Sequence, residues 1–264
     1  MLITLTTDYG LRDGYVAAVK GVILGVAPNA TLVDVTHQIG PGDIRHGAIV
    51  LASVWSYFPP RTVHMVVVDP GVGTSRRLLA ARFADRVFVG PDNGLITLVD
   101  RGWPREAMHV LENPVWRLEP VSATFHGRDI MAPAAARLAL GAAIEESGPA
   151  CDDPVLLPIP ESVRESNGDV RGAVMHVDHF GNLITNLTSG DLSVGARIGG
   201  KARTVAVLVD GVPIGSLRRT FGDVPPGDPL AYIGSGGFLE IAINGGRAVE
   251  RFGADPSVRV TFLN

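Results

Sequence analysis

Three stretches of this 264-residue chain place carboxylates and other polar groups directly after apolar runs. They are Thr6-Thr7-Asp8-Tyr9-Gly10 followed by Asp13, Asp69-Pro70-Gly71-Val72-Gly73-Thr74-Ser75-Arg76, and Gly90-Pro91-Asp92-Asn93-Gly94. Ligands of open α/β sheets collect outside the carboxyl ends of the strands, so chemistry is expected there first. Asp69 enters a turn stiffened by proline and opened by two spaced glycines, where backbone can approach a ligand closely. Its carboxylate either faces that ligand or caps the turn. Neither the full dinucleotide glycine pattern nor a Walker lysine is present, which argues against phosphate binding.

Phe125-His126-Gly127-Arg128-Asp129 lies just before a helix expected to begin near Ile130, with Asp129 as its N-cap. Amide N–H groups at a helix N-terminus disfavour an imidazolium and leave His126 neutral, able to accept a proton. The other reading of His126 is an exposed loop residue. In the second half, Asp178-His179-Phe180-Gly181-Asn182 interrupts a strand, and Gly234-Ser235-Gly236-Gly237 turns into another beginning at Phe238. His176 and His179 would point to opposite sides of a strand, and Cys151 is the only cysteine, so no zinc site is expected.

The elements that must hold these residues divide the chain in two. Residues 1–155 alternate apolar strands (Leu2 to Thr7, Thr31 to Val35, Val63 to Val68, Leu78 to Phe83, Arg86 to Val89) with helices (Tyr15 to Leu24, Asp43 to Tyr57, Asp129 to Leu140). This is an α/β pattern with a mainly parallel central sheet, the almost wholly apolar Val63 strand being covered on both faces. Residues 156–169, with Pro158, Pro160 and an Asn167-Gly168 turn signal, read as a linker. Residues 170–264 carry short strands separated by Gly, Pro, Asp and Asn with no convincing helix between them, the pattern of a smaller antiparallel β-barrel or sandwich.

Composition narrows the function classes. Hydrophobic residues make up 46% and charged residues 19%, the balance of a packed globular protein rather than a disordered one. A net charge of −4 without any Lys/Arg block argues against a nucleic-acid partner. Gly, Pro or a charge breaks every candidate membrane span, and the N-terminus has no export signal, so the protein is expected to be cytoplasmic.

Taken in order, Thr7-Asp8-Tyr9-Gly10, Val33-Asp34-Val35-Thr36-His37, Asp69-Pro70-Gly71-Val72-Gly73-Thr74, Gly90-Pro91-Asp92-Asn93-Gly94, Phe125-His126-Gly127-Arg128-Asp129, Asp178-His179-Phe180-Gly181-Asn182 and Gly234 to Asn244 resemble the S-adenosyl-L-methionine (SAM) hydroxide adenosyltransferase family. These are hydrolytic relatives of the adenosyl-fluoride and adenosyl-chloride synthases. The resemblance implies an enzyme that hydrolyses SAM to adenosine and L-methionine, with no cofactor or metal, in a homotrimer whose sites lie between subunits. It implies a catalytic Asp69, Arg76 and His126 that position a water, Arg76 being preferred to Arg77 by its spacing from Asp69. It places Asp8 on the ribose hydroxyls, Asp13, Asp178 and Ser235 on the methionine portion, and Phe125, Phe180 and Asn182 on the sugar or base.

Two departures separate the chain from the halogenating relatives, which resemble it around the same turn but carry Tyr where Asp69 stands and an insertion before the segment matching Gly90. A carboxylate at that position would repel a halide, so water is the expected nucleophile. Gly236 and Ile243 stand where the fluoride enzyme has arginines, so methionine's carboxylate must be recognised differently. Two other readings remain at this point. One is a metal-dependent nucleoside hydrolase, with Asp8, Asp13, Asp69 and Asp92 around a divalent cation; the other is a SAM or adenosine sensor that binds without turnover.

Overall fold

Contacts within the chain divide it into Met1–Leu157 and Pro158–Asn264. The computed structural model describes residues 1–195, 197–198, 201–202 and 204–263, with side chains described except at 193–204 and 263.

The first unit runs β1 (Leu2–Thr7), α1 (Tyr15–Val26), β2 (Thr31–Thr36), α2 (Ile44–Trp55), β3 (Val63–Val67), β4 (Leu78–Phe83), β5 (Arg86–Pro91), α3 (Thr97–Gly102) and β6 (Arg105–Val110), then α4 (Ala132–Ala139). Its six-stranded sheet has the order β2-β1-β3-β5-β4-β6. The β1–β2, β1–β3 and β3–β5 pairs are parallel, and only β4 runs against its neighbours. Every residue of β3 is buried, because helices cover both faces of the sheet. On one face α1, α4 and the residue before α4 pack Val19, Ile23, Ala135 and Met131 against Ile3, Leu5 and Met65; on the other, α2 and α3 bring Leu51, Trp55 and Val99 onto Val66, Leu79 and Phe88. The Asp43 carboxylate caps α2 by accepting the His46 amide at 2.9 Å.

The start of α4 differs from the sequence expectation. Its N-cap residue is His126, and the helix opens with a π-helical turn over Gly127–Met131. Asp129 therefore lies inside the first turn and is not the cap. Its buried carboxylate instead takes Arg128 at 2.6 and 2.9 Å and the Ser122 amide at 2.8 Å, tying down the loop that leads to the helix. A side chain with a guanidinium next door and a loop amide to satisfy is not free to fold back on its own helix.

The second unit begins within the stretch read as a linker, since β7 (Val163–Arg164) already pairs with β8 (Val170–Val177). It continues with β9 (Leu183–Thr188), α5 (Ser189–Gly195), β10 (Arg197–Ile198), β11 (Lys201–Ala202), β12 (Thr204–Val209), β13 (Val212–Ser216), β14 (Pro229–Ile233), β15 (Phe238–Ile243), α6 (Ala248–Phe252) and β16 (Ser257–Leu263). An eight-stranded antiparallel sheet runs β13-β12-β16-β8-β9-β15-β14, with β7 beside β8. A bridge between Leu217 and Ala231 links its two ends, so the sheet curls into a near-barrel around Val170, Leu187, Val207, Ile241 and Val260. Helices α5 and α6 were not expected; at seven and five residues they are too short to show a helical period.

Candidate active site

Strands β1 and β3 are parallel neighbours, with Thr7 paired to Val67, so the residues that follow them leave the sheet side by side. Asp8 follows β1 directly and Asp69 stands one residue further beyond β3, both at the carboxyl edge where α/β sheets hold ligands. The loop after β3 is built from tight turns. The Asp69 carbonyl accepts the Val72 amide at 3.2 Å, the Gly71 carbonyl accepts Thr74 Oγ1 at 2.7 Å, and Gly73 has φ +80°. Only a residue without a Cβ adopts that φ cheaply, and a Cβ there would also strike the Ala123 carbonyl. The turns fold the chain back so that Arg76 meets Asp69 seven residues earlier. Asn93, in the third polar segment, donates to the Val68 carbonyl at 2.8 Å and pins the end of the β3 strand.

Arg76 grips the Asp69 carboxylate with two nitrogens, Nε at 2.9 and 3.0 Å and Nη2 at 2.6 Å. Both side chains are nearly enclosed, 11% and 6% exposed, so this is a partly desolvated, bidentate pair. The same Nη2 lies 2.9 Å from His126 Nδ1. A guanidinium can only donate, so Nδ1 must accept, and the proton of the neutral ring resides on Nε2. Burial, and after it the Arg76 charge, holds the imidazole below its ordinary pKa, with Asp69 and Asp129 pulling more weakly the other way. His126 is thus neutral, as its place before a helix suggested, but its accepting nitrogen is spent on Arg76. Of the trio, the Asp69 carboxylate is the group whose chemistry still allows it to accept a proton.

Asp8, Tyr9, Gly42, Asp69, Thr124, Phe125 and His126 line a cavity of about 120 Å³. Asp8 Oδ2 accepts the Gly42 amide at 2.9 Å, which fixes the carboxylate beside the cavity. Phe125 forms an aromatic cluster with Tyr9 and Tyr15, ring centres 5.7 and 5.5 Å away. Asp13 is exposed in the turn before α1 and is not among the lining residues. Arg77, the other arginine in the segment, faces away to a separate pair: its guanidinium meets Asp92 at 2.7 Å and Asp153 at 2.8 Å. Of the four carboxylates considered for a cation site, Asp69 and Asp92 are taken into arginine pairs, Asp8 accepts the Gly42 amide and Asp13 is exposed. Among the described residues no three metal-ligating side chains converge.

The remaining predicted site residues lie in the second unit, around a cavity of about 590 Å³. Asp178 accepts both the backbone and the side-chain amide of Asn182 at 2.8 Å, which locks the β8–β9 turn. Phe180 projects from that turn, 71% exposed, while Asn182 is buried and Ser235 exposed at the β14–β15 turn. Ile243 lines the same cavity. Sequence reasoning missed Tyr232 and Glu240 there, which sit opposite each other on β14 and β15 and share a 2.5 Å hydrogen bond from the phenol to the carboxylate. Burial raises the Glu240 pKa, the Tyr232 hydrogen bond opposes this, and Asp178 adds to it. Strand alternation marks their positions as a cross-strand pair only once the hairpin register is known.

Residues 3–148 match the family model described as the SAM hydroxide adenosyltransferase N-terminal domain, and residues 172–261 match the C-terminal domain of the same family. The (R)-S-adenosyl-L-methionine hydrolase of Salinispora tropica is 45% identical over 262 residues, covering 98% of this chain and 96% of that protein. A fluorinase from an Actinoplanes species is 33% identical over 276 residues, covering 92% of this chain and 91% of the relative. The crystal structure of an uncharacterized conserved protein from Thermotoga maritima matches with a TM-score of 0.89 and 35% identity, covering 98% of this chain and 99% of that one. Both halves of the family pattern are present in order and across nearly the whole length, and the chain belongs to the SAM hydroxide adenosyltransferase family.

Proposed function

We propose that this protein hydrolyses SAM to adenosine and L-methionine by attack of water on the ribose C5′. The observation that carries the reading is the Asp69–Arg76–His126 trio at the carboxyl edge of β1 and β3, beside Asp8. A sulfonium leaves as a neutral thioether, so the leaving group needs no protonation. What the reaction lacks is a nucleophile of the right orientation. A water donating one proton to the Asp69 carboxylate is held in place, and as its oxygen bonds to C5′ the attached protons become strongly acidic. Even a carboxylate paired with arginine then serves as the base, a role typically contributing about 10²- to 10⁴-fold. Arg76 fixes the plane of that carboxylate, and His126 fixes Arg76. Alignment of this kind can supply several kcal/mol of the barrier, up to about 7–11 in the best intramolecular cases.

In the same reading Asp8 takes the ribose hydroxyls, with Phe125 against the sugar. In the second unit Asp178 and Ser235 serve the methionine portion, and Phe180 and Asn182 the sugar or base. Asp13, exposed in this chain alone, also contacts methionine. Its exposure and the division of the set between two cavities favour a site completed by a second copy, in a homotrimer. No cofactor or metal takes part, and no nucleic acid or membrane is a partner. Among the described residues no helix is long and apolar enough to cross a membrane, and we assign the protein to the cytoplasm. The relative's name specifies the R form; since the amino acid is already L, that label belongs to the sulfonium, and we assign the same epimer here.

The test is to present each sulfonium epimer to the purified protein and to its Asp69→Ala variant. Adenosine and methionine should appear in equal amounts from the R epimer with wild type only, while the variant still binds SAM. Absence of product from both epimers would overturn the assignment, and loss of binding in the variant would make Asp69 a substrate anchor instead of a base.

A further inference from the structure

Tyr9 is the residue of the cavity whose polar group the trio does not use. Its ring is wedged between Phe125 and Tyr15, 5.7 and 6.1 Å between centres, and it lines the cavity with Asp69 and His126. Its hydroxyl lies against Gly127, where a Cβ would collide with it, so the first residue of the π-helical turn is one that leaves this oxygen room. Tyr9 is half-buried at the cavity wall, and among the described residues its hydroxyl makes no hydrogen bond, which leaves it free to donate into the cavity. Burial, then the charges of Asp8 and Asp69, keep it protonated, so it stays an O–H donor at the cavity whose wall it shares with both carboxylates.

We propose that the Tyr9 hydroxyl donates to the attacking water and so selects which of its lone pairs faces C5′. This rests on the hydrolytic reading above. A water held through one proton by Asp69 alone can still rotate about that hydrogen bond. A second contact, from a donor to one of its lone pairs, stops the rotation and leaves the other lone pair as the one free to attack. His126 turns Nδ1 to the Arg76 nitrogen that also holds Asp69, so the ring's N–H, on Nε2, lies on the other side from that nitrogen. In the transition state the O–H hydrogen bond persists while the water's proton passes to Asp69 and the S–C5′ electron pair leaves with methionine, so Tyr9 neither gains nor loses a proton.

The experiment compares Tyr9→Phe, which keeps the ring packing, with wild type for kcat, KM, thermal midpoint and the affinity for adenosine. The expected result is a fall in kcat of about 10²-fold, as for a small misplacement of a reacting group, with KM, adenosine affinity and midpoint little changed. Gly127→Ala, which pushes the hydroxyl from its place, should repeat the kcat loss. Unchanged kcat in Tyr9→Phe, or a loss carried by weaker adenosine binding, would overturn the proposal, the latter by placing the hydroxyl on the ribose. If wild type itself makes no adenosine, the hydrolytic reading has failed before Tyr9 is tested.

Discussion

One nitrogen of Arg76 serves two partners: Nη2 is 2.6 Å from Asp69 Oδ2 and 2.9 Å from His126 Nδ1. The relationship makes the histidine an acceptor and a brace for the arginine, and in the proposed hydrolysis it is the carboxylate that takes the proton.

His126 should therefore tolerate replacement by a group that accepts but does not titrate. Protonating Nδ1 would set one donor against another, and burial with the Arg76 charge moves that event below the ordinary histidine value, about 6.5. The wild-type rate should hold as pH falls past that value and decline only further down. His126→Asn keeps an acceptor for Arg76, so it should retain activity within about 10-fold and lose the part of the acid limb due to the imidazole. A pH profile of kcat decides this, and an unchanged acid limb would assign it to another group.

The two adjacent arginines should separate by readout. Arg76→Ala should abolish turnover, because the carboxylate loses its orientation. Arg77→Ala leaves Asp92, whose side chain is 2% exposed, with the Val155 amide as its remaining partner. That should cost stability, about 1–3 kcal/mol, less than the 3–5 of a fully buried pair because Arg77 itself is one-third exposed. Its kcat should stay within about threefold, since the alignment of reacting groups is untouched. Urea unfolding and steady-state kinetics on both variants make the comparison, and a catalytic collapse in Arg77→Ala would reverse the assignment.

His64 supplies an acid-sensitive element away from the site. It is fully buried on β3, stacked on Trp55 and bonded to Thr4 Oγ1 at 2.8 Å. Burial, then the Arg86 charge, pushes its pKa down to about 3. An unfolded histidine titrates near 6.5, so between those values the unfolded chain binds a proton the native one refuses. Stability from this group is thus complete above about 6.5 and is lost as pH falls toward about 3. His64→Gln should be less stable than wild type at neutral pH but show a flatter decline on acidification. Equal slopes in denaturant titrations across that window would contradict it.

Much of this arrangement was legible in the sequence because the first unit keeps its rules locally. An almost wholly apolar Val63 strand between helical periods specifies a covered parallel sheet, and polar residues at its end specify where to look. Asp69 follows from that as a candidate, Asp8 from the end of the first strand, and His126 from its place before a helix. What the sequence could not convey is long-range. Two adjacent arginines differ by which way the chain turns after Gly73, and only the folded loop sends one to Asp69 and the other to Asp92. Asp129 has the right type for an N-cap, yet Arg128 and the Ser122 amide outcompete the helix for it. Tyr9 reads as an aromatic in a loop until Gly127, far along the chain, is seen to make room for its hydroxyl. Tyr232 and Glu240 become a pair only through hairpin register.

Attack of water on C5′ is tested directly by turnover of the R-sulfonium epimer of SAM in ¹⁸O-water without added metal, with mass analysis of both products. One ¹⁸O is expected in the 5′-hydroxyl of adenosine and none in methionine. Adenosine without label, or SAM held tightly with no product, would contradict it.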